Sequence, residues 1–298
     1  MSDVSSRHPE HEIGDANGAA ARQPHAVLDL PSRRFKGLKI ERLLDLASRP
    51  QPIRILEVGT GSGGIAHYFG THPQLRCDVD AVDVHDNRLV TEGYRYHQVR
   101  DTTLPFADDS FDVVLTNHVI EHVGDAGAQH RHLLEIHRVM KPDGVGYLAV
   151  PNRWMLVEPH YRLAFLSWWP HAWRTSYLRA MRKGEVYDCE PLTHRQAESM
   201  LHITGFRFEN KAVEALRLTL ALEYPRGSVL RRTLGCIPDT LLHAASPMIP
   251  TLIYSFERHQ THAALPDGSG EQENGVFDVD RKRPADEPPE ARQEHSGG

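Results

Sequence analysis

The sequence predicts an α/β fold of the doubly wound type, and three observations carry that prediction. Short, nearly continuous apolar runs recur at Ile53–Val58, Val79–Val84, Phe111–Thr116 and Val145–Val150, the pattern of strands buried on both faces of a parallel sheet. Stretches with helical periodicity, Gly63–Phe69 and Ala128–Met140, alternate with them. A glycine-rich turn, Gly59-Thr-Gly-Ser-Gly-Gly64, follows the first run and leads into the first of these helices.

Each later element follows in order. In Ala128–Met140 the apolar residues Leu133, Leu134, Ile136, Val139 and Met140 recur at helical spacing, and Lys141-Pro142-Asp143-Gly144 reads as stop and turn. After Pro151 the rhythm breaks. Residues 151–183 hold all four tryptophans (Trp154, Trp168, Trp169, Trp173) and six Arg/Lys against one acid. The span 151–190 therefore reads as an insertion, which Pro170 is expected to divide into two short helices. Regular patterning returns with an amphipathic helix at Arg195–Ile203, a strand opened by Gly205-Phe206 and another at Pro250–Phe256.

Length and composition limit the alternatives. A chain of 298 residues can bury a substantial core as one large domain or two small ones. Three widely spaced cysteines, Cys77, Cys189 and Cys236, support neither a disulfide framework nor a CxxC zinc site. No apolar run reaches the ~18 residues of a membrane span, and the N-terminus lacks a signal-peptide pattern. A cytoplasmic setting is expected. The net charge of −6 belongs to the ends: residues 1–25 carry −2 and residues 261–298 carry −5. Both segments are poor in large apolar side chains and are expected to be disordered tails. They flank a folded domain, 26–260, of net charge +1.

The glycine turn points to a nucleotide-like ligand. Glycines permit positive φ in a tight turn and close approach of a ligand to the backbone. The following helix start offers N–H groups to an anion. About 20 residues on, Asp83 ends the next apolar run, where a carboxylate takes the ribose hydroxyls of an adenosine. Gly59, Gly61 and Gly64 satisfy GxGxxG, so an NAD(P)-dependent oxidoreductase is one reading. Glu57 argues for the other. An acid two residues before the first glycine repels a pyrophosphate but suits the ammonium of S-adenosylmethionine.

These residues resemble the class I S-adenosylmethionine-dependent methyltransferases. The similarity continues through Asp101-Thr-Thr-Leu-Pro-Phe, Val119-Ile-Glu-His-Val and Arg138-Val-Met-Lys-Pro-Asp-Gly, and is strongest over residues 50–152. It implies a Rossmann-like seven-stranded sheet with an antiparallel last strand, for which Thr251–Phe256 is the candidate. The lid insertion would follow the fifth strand. The resemblance places Glu57, Gly59 and Gly61 at the methionine end of the cofactor and Asp83 at its ribose. Asp101 and Thr102 fall at the adenine edge, with Asn117 and His118 where the fourth strand meets the cofactor. Gly63 and Gly64 can equally serve helix–sheet packing alone.

Twenty histidines complicate the search for catalytic groups. His118-Val-Ile-Glu121-His122 fits the HxxEH pattern of zinc peptidases, which needs one helix face, yet it follows directly on a strand. The Glu-His-Val end also resembles the ubiquinone-biosynthesis O-methyltransferases, whose Glu-x-x-Glu-His stretch can bind a divalent cation. Here the first Glu is His118, so a mixed N/O site and a merely loop-orienting His122 both stay open, and no metal ligand is assigned. His130, His132 and His137 read as surface or internally satisfied positions. His122, His160 and Tyr161 are the candidate catalytic residues, because methyl transfer needs acceptor alignment and sometimes a base near neutrality.

The expected activity is transfer of a methyl group to oxygen of a small-molecule, glycan or lipid-linked acceptor. A non-catalytic S-adenosylmethionine-binding scaffold is the alternative from another class. With no RNA-binding module or lysine-rich stripe, a nucleic-acid partner is disfavoured. The basic tryptophan block suits an acceptor lid, a membrane-surface contact or a small secondary core.

Overall fold

The computed structural model describes residues 29–259 apart from Pro159; both expected tails and the outermost residues of the 26–260 domain lie outside the described residues. The chain enters through α1 (Leu30–Leu43), with Pro31 in its first turn. Then come β1 (Ile53–Val58), α2 (Gly64–Gly70), β2 (Cys77–Asp83), β3 (Arg95–Gln98) and β4 (Phe111–Asn117). A 3₁₀ turn, Ile120–His122, leads to α3 (Ala126–Val139) and β5 (Met140–Pro151). The insertion holds the hairpin β6 (Val157–Glu158) and β7 (Leu163–Ala164), a 3₁₀ turn at Leu166–Trp168, and α4 (His171–Ala180). The chain continues through α5 (His194–Ile203), β8 (Phe206–Asn210), α6 (Ala212–Leu222), α7 (Val229–Gly235), α8 (Asp239–Ala244) and β9 (Thr251–Arg258).

Seven strands form one sheet in the order 3-2-1-4-5-9-8. β1 to β5 are parallel, and β9 is antiparallel to both of its neighbours. The last strand is thus antiparallel, as expected, and it runs between β5 and β8 rather than along an edge. Strand order reverses between β1 and β4. Connections leave that point in opposite directions, which opens a crevice beyond the carboxyl ends of the two strands.

Burial explains the continuous apolar runs. Leu56, Val58, Val82, Val114, Leu148 and Val150 face one layer, with Leu133 and Ile136 of α3 and Leu201 of α5. Ile55, Val79, Ala81, Val113, Leu115 and Ala149 face the other, with Ile40 of α1 and Ile65 and Phe69 of α2. Successive residues feed opposite layers, so both must be apolar.

The structure differs from the sequence expectation in three places. Lys141–Gly144 does not separate helix from strand. Phe111 pairs with Met140 and Val113 with Val145, so the turn is a bulge looped out within β5. The strand β3 has no apolar run because it is an edge strand held by charge: buried Asp80 lies 2.7 Å from Arg95 Nη2 and 2.9 Å from His97 Nε2. Pro170 does separate two helical pieces, but the first is a single 3₁₀ turn, and a hairpin precedes it. The insertion has its own small core of Leu163, Leu166, Leu178, Tyr187 and Cys189. Its tryptophans lie outside that core, each between 41% and 60% exposed.

No helix among the described residues is long and apolar enough to cross a membrane. The contact between β5 and β9 gives a sharp packing test. A Cβ at Gly146 would lie 2.0 Å from the Phe256 ring. Gly146→Ala is expected to destabilise the protein by about 1–3 kcal/mol, the usual overpacking cost, as read from a denaturant midpoint.

Candidate cofactor and acceptor site

The glycine turn after β1 is built on left-handed backbone. Gly59, Gly61 and Gly63 have φ of 76°, 54° and 77°. A Cβ at Gly59 would lie 2.3 Å from Val119 Cγ2, so the turn packs directly on the segment leaving β4. Gly64 serves packing of helix on helix rather than helix on sheet, since its Cβ would sit 2.6 Å from Arg33 Cβ of α1.

Glu57 organises this turn from behind. Its carboxylate is 2% exposed, and Oε2 accepts hydrogen bonds from Thr60 Oγ1 at 2.7 Å and Ala66 N at 2.9 Å. Burial raises its pKa to about 8, against the opposing bonds from Thr60 and Ala66 and the nearby Arg33. One N–H at the start of α2 is therefore spent on Glu57 rather than offered to a ligand anion. Asp83, at the end of β2, closes the turn from the front. Its Oδ2 accepts from Gly61 N at 2.8 Å, and Gly59 N donates to Val82 O at 2.8 Å.

The fourth strand delivers Asn117 and His118 to the same crevice. Asn117 is 7% exposed and its Oδ1 has no hydrogen-bond partner; buried Ser62 Oγ in the glycine turn has none either. Two orphaned polar atoms at a switch point are the mark of a site shaped for a polar ligand. His118 sits at φ 59°, and its N donates to Ala149 O at 2.8 Å. Burial lowers its pKa despite Glu121 nearby. Asp101 and Thr102 lie in the loop between β3 and β4. Asp101 is exposed, and its Oδ1 accepts from Thr103 N at 2.8 Å. The protein's own residues thus fit a cofactor with an adenosine and a polar tail. Lys36 of α1 was not recognised from sequence: burial lowers its pKa to about 8, and its charge acts on His118. The weak apolar pattern of α1 concealed it.

A second polar cluster forms where residues 151–190 meet the segment after β4. His122 and His160 face each other with ring centroids 5.2 Å apart. Cys189 Sγ lies 3.7 Å from His122 Nδ1 and 3.9 Å from His160 Nδ1. Glu158, 1% exposed, holds His160 Nδ1 at 2.6 Å through Oε1 and accepts from Tyr161 N through Oε2. Burial opposes protonation of His160, but the Glu158 carboxylate outweighs it and raises the pKa. Tyr161 Oη contacts Asp188 Oδ1 at 3.1 Å and Val186 O at 3.2 Å. Burial and Asp188 push its pKa up, so the phenol acts as a donor at ordinary pH. Glu121 is fully buried, with His118 Nδ1 3.3 Å and His122 Nε2 3.9 Å from Oε1. Burial alone would raise its pKa, and the two imidazoles more than offset that. A backbone bond from Glu190 N to Glu121 O at 2.8 Å ties the halves together.

The HxxEH pattern forms no zinc-peptidase helix, because His118 is left-handed and residues 120–122 make a 3₁₀ turn. His132 is satisfied in the core: its Nε2 lies 3.1 Å from Thr116 Oγ1, and burial lowers its pKa to about 4. Sequence reading missed Glu158, Asp188 and Cys189 as members of this polar cluster; only the clustering of His160 beside Glu158 was visible as a signal.

Comparison with known proteins identifies the family. Residues 32–210 match the family described as a methyltransferase domain. An uncharacterised methyltransferase of Bacillus subtilis, YcgJ, is 33% identical over 115 residues, which cover 36% of this chain and 41% of that protein. A probable S-adenosylmethionine-dependent methyltransferase of Mycobacterium tuberculosis is 31% identical over 160 residues, covering 49% and 56%. The chain therefore spans only about two-fifths to just over half of these relatives. The crystal structure of YcgJ superposes with a TM-score of 0.42 at 15% identity, covering 75% of this chain and 99% of that one.

The raised pKa of Glu57 makes a signed prediction. Folding favours its protonated form, so its contribution is complete below pH 4.5 and is lost as pH rises through about 8. Glu57→Gln keeps an acceptor without the charge. The variant should gain on the wild type by a few kcal/mol between about pH 5 and pH 9, read from melting midpoints across that range.

Proposed function

Because the chain belongs to the methyltransferase-domain family, the class I S-adenosylmethionine-dependent methyltransferases, we propose that it methylates an oxygen of a small-molecule, glycan or lipid-linked acceptor. The observation that carries the cofactor half is the convergence of the glycine turn, Asp83 and the Asn117-His118 strand end on one switch-point crevice.

When bound, S-adenosylmethionine supplies a methyl group already activated on a sulfonium. The chain's residues then have three tasks. Asp83 would hold the ribose hydroxyls, and Asp101 and Thr102 would border the adenine. Gly59 and Gly61 let the methionine part approach the backbone, with Glu57 holding that turn in shape. Asn117 and His118 would meet the cofactor at the end of β4, where the orphaned Asn117 Oδ1 would gain a partner.

The acceptor is assigned to the cluster of His122, His160 and Tyr161. Alignment there brings its hydroxyl oxygen in line with the methyl, and the hydroxyl proton passes into the imidazole–carboxylate cluster. The exposed tryptophans favour an acceptor with an apolar or lipid portion. Trp154, Trp168 and Phe165 pack edge to face on the outside of the insertion, and Arg153 sits over Trp154. Such a basic, aromatic surface also suits contact with an anionic bilayer. A reducing cytoplasmic location accords with three unpaired cysteines.

Thermal-shift measurements should show stabilisation by S-adenosylmethionine and S-adenosylhomocysteine and none by NAD(P); the reverse result would overturn the cofactor assignment. Asp83→Ala should weaken cofactor binding by at least about tenfold, in line with losing charge-assisted bonds to the ribose. Labelled methyl from the cofactor, offered to fractionated extract, should enter the lipid or glycan fraction. His160→Ala should lower that transfer by about 100-fold or more with cofactor affinity unchanged.

A further inference from the structure

We infer that His122, His160, Asp188 and Cys189 form a binding site for one divalent transition-metal ion of the zinc class, which pins the insertion to the strand end that carries the cofactor. The geometry around the sulphur points to it. Cys189 Sγ lies 3.7 Å from His122 Nδ1, 3.9 Å from His160 Nδ1 and 3.6 Å from Asp188 Oδ1. Tetrahedral zinc with its ordinary bond lengths, ≈2.3 Å to sulphur and ≈2.0–2.2 Å to nitrogen or oxygen, separates such ligands by about 3.6 Å. His122, Asp188 and Cys189 offer mutually close donors, and His160, at the same spacing from the sulphur, would turn toward the ion as the fourth.

Buried carboxylates surround this donor set. Ligand atoms of Glu121, His122 and His160 lie within 4.8 Å of one another, as do those of His122, Asp188 and Cys189, and those of Glu158, His160 and Cys189. Two of the carboxylates in these overlapping groups are buried: Glu121 is 0% exposed and Glu158 1%. Beside Glu121 Oε1 stand His118 Nδ1 at 3.3 Å and His122 Nε2 at 3.9 Å. The imidazoles are the close partners of these carboxylates, and a divalent ion would add counter-charge where several buried acids converge. Sulphur and nitrogen donors select zinc or cobalt over magnesium or calcium. On binding, His160 Nδ1 trades its contact with Glu158 for the ion, and Glu158 moves to the outer sphere, where such carboxylates orient ligands.

Two stretches distant in sequence supply the donors: His122 comes from the turn after β4, and His160, Asp188 and Cys189 come from the insertion. The ion would therefore fix the acceptor side against the cofactor side. This inference concerns occupancy of the site and does not depend on the proposed methyl transfer, because its readout is metal binding and needs neither cofactor nor acceptor.

The full chain, stripped of metal by a chelator and titrated with Co²⁺, should bind one equivalent and develop a thiolate-to-cobalt charge-transfer band that Zn²⁺ displaces. Cys189→Ser should abolish the band and weaken zinc binding by more than about tenfold, since outer-sphere losses alone reach 10–100-fold. His122→Ala and His160→Ala should weaken it similarly. A cooperative melting transition in each metal-free variant, close to that of the metal-free wild type, reports that it has folded. A band that persists in Cys189→Ser would place the thiolate at Cys77 or Cys236 and overturn the site. So would the absence of a charge-transfer band in the wild type, or zinc affinity unchanged in the three variants.

Discussion

A carboxylate with almost no access to water is the constraint on which the cofactor end depends. Glu57 binds Thr60 and the first turn of α2 at once, so the left-handed turn between them has a fixed shape. Burying a carboxyl is costly, and the raised pKa records that cost. What offsets it is order: three glycines at positive φ would otherwise sample many shapes. Asp83 holds the same turn from the solvent side through Gly61 N, so two acids grip the loop from opposite faces.

The sheet determines where this turn is displayed. Reversal of strand order between β1 and β4 brings Gly59 against Val119 and leaves Ser62 and Asn117 with polar atoms that no protein group satisfies. A strand end and a glycine turn that are 60 residues apart thereby share one crevice. The insertion then closes the other side. Its own small core frees the tryptophans to stay outside, while Glu158, His160 and Cys189 turn inward to meet Glu121 and His122. The division of labour is physical: apolar packing holds the insertion's shape, and polar contacts determine where it docks.

The parts legible in sequence were those with local signals. Runs such as Ile53–Val58 needed apolar residues on both faces, and glycines such as Gly59 and Gly61 needed backbone freedom, so both were visible without a structure. β3 escaped because an edge strand held by Asp80, Arg95 and His97 has no apolar run to see. The turn at Lys141–Gly144 was seen, but its place inside β5 depends on a pairing register with Phe111 and Val113. Glu57 was recognised as important for its charge, whereas its bonds to Thr60 and Ala66 required the turn's geometry.

Local chemistry by itself thus determined the α/β class, the glycine turn, the acid at Asp83 and the aromatic, basic character of the insertion. Tertiary structure alone decided that β9 lies between β5 and β8, that the tryptophans face outward, and that Cys189 and Asp188 stand beside His122 and His160. The reason is range. Periodicity and turn chemistry act over a few residues and are written where they act. A cluster assembled from residues 121, 158 and 189 exists only once long-range pairing has brought those segments together.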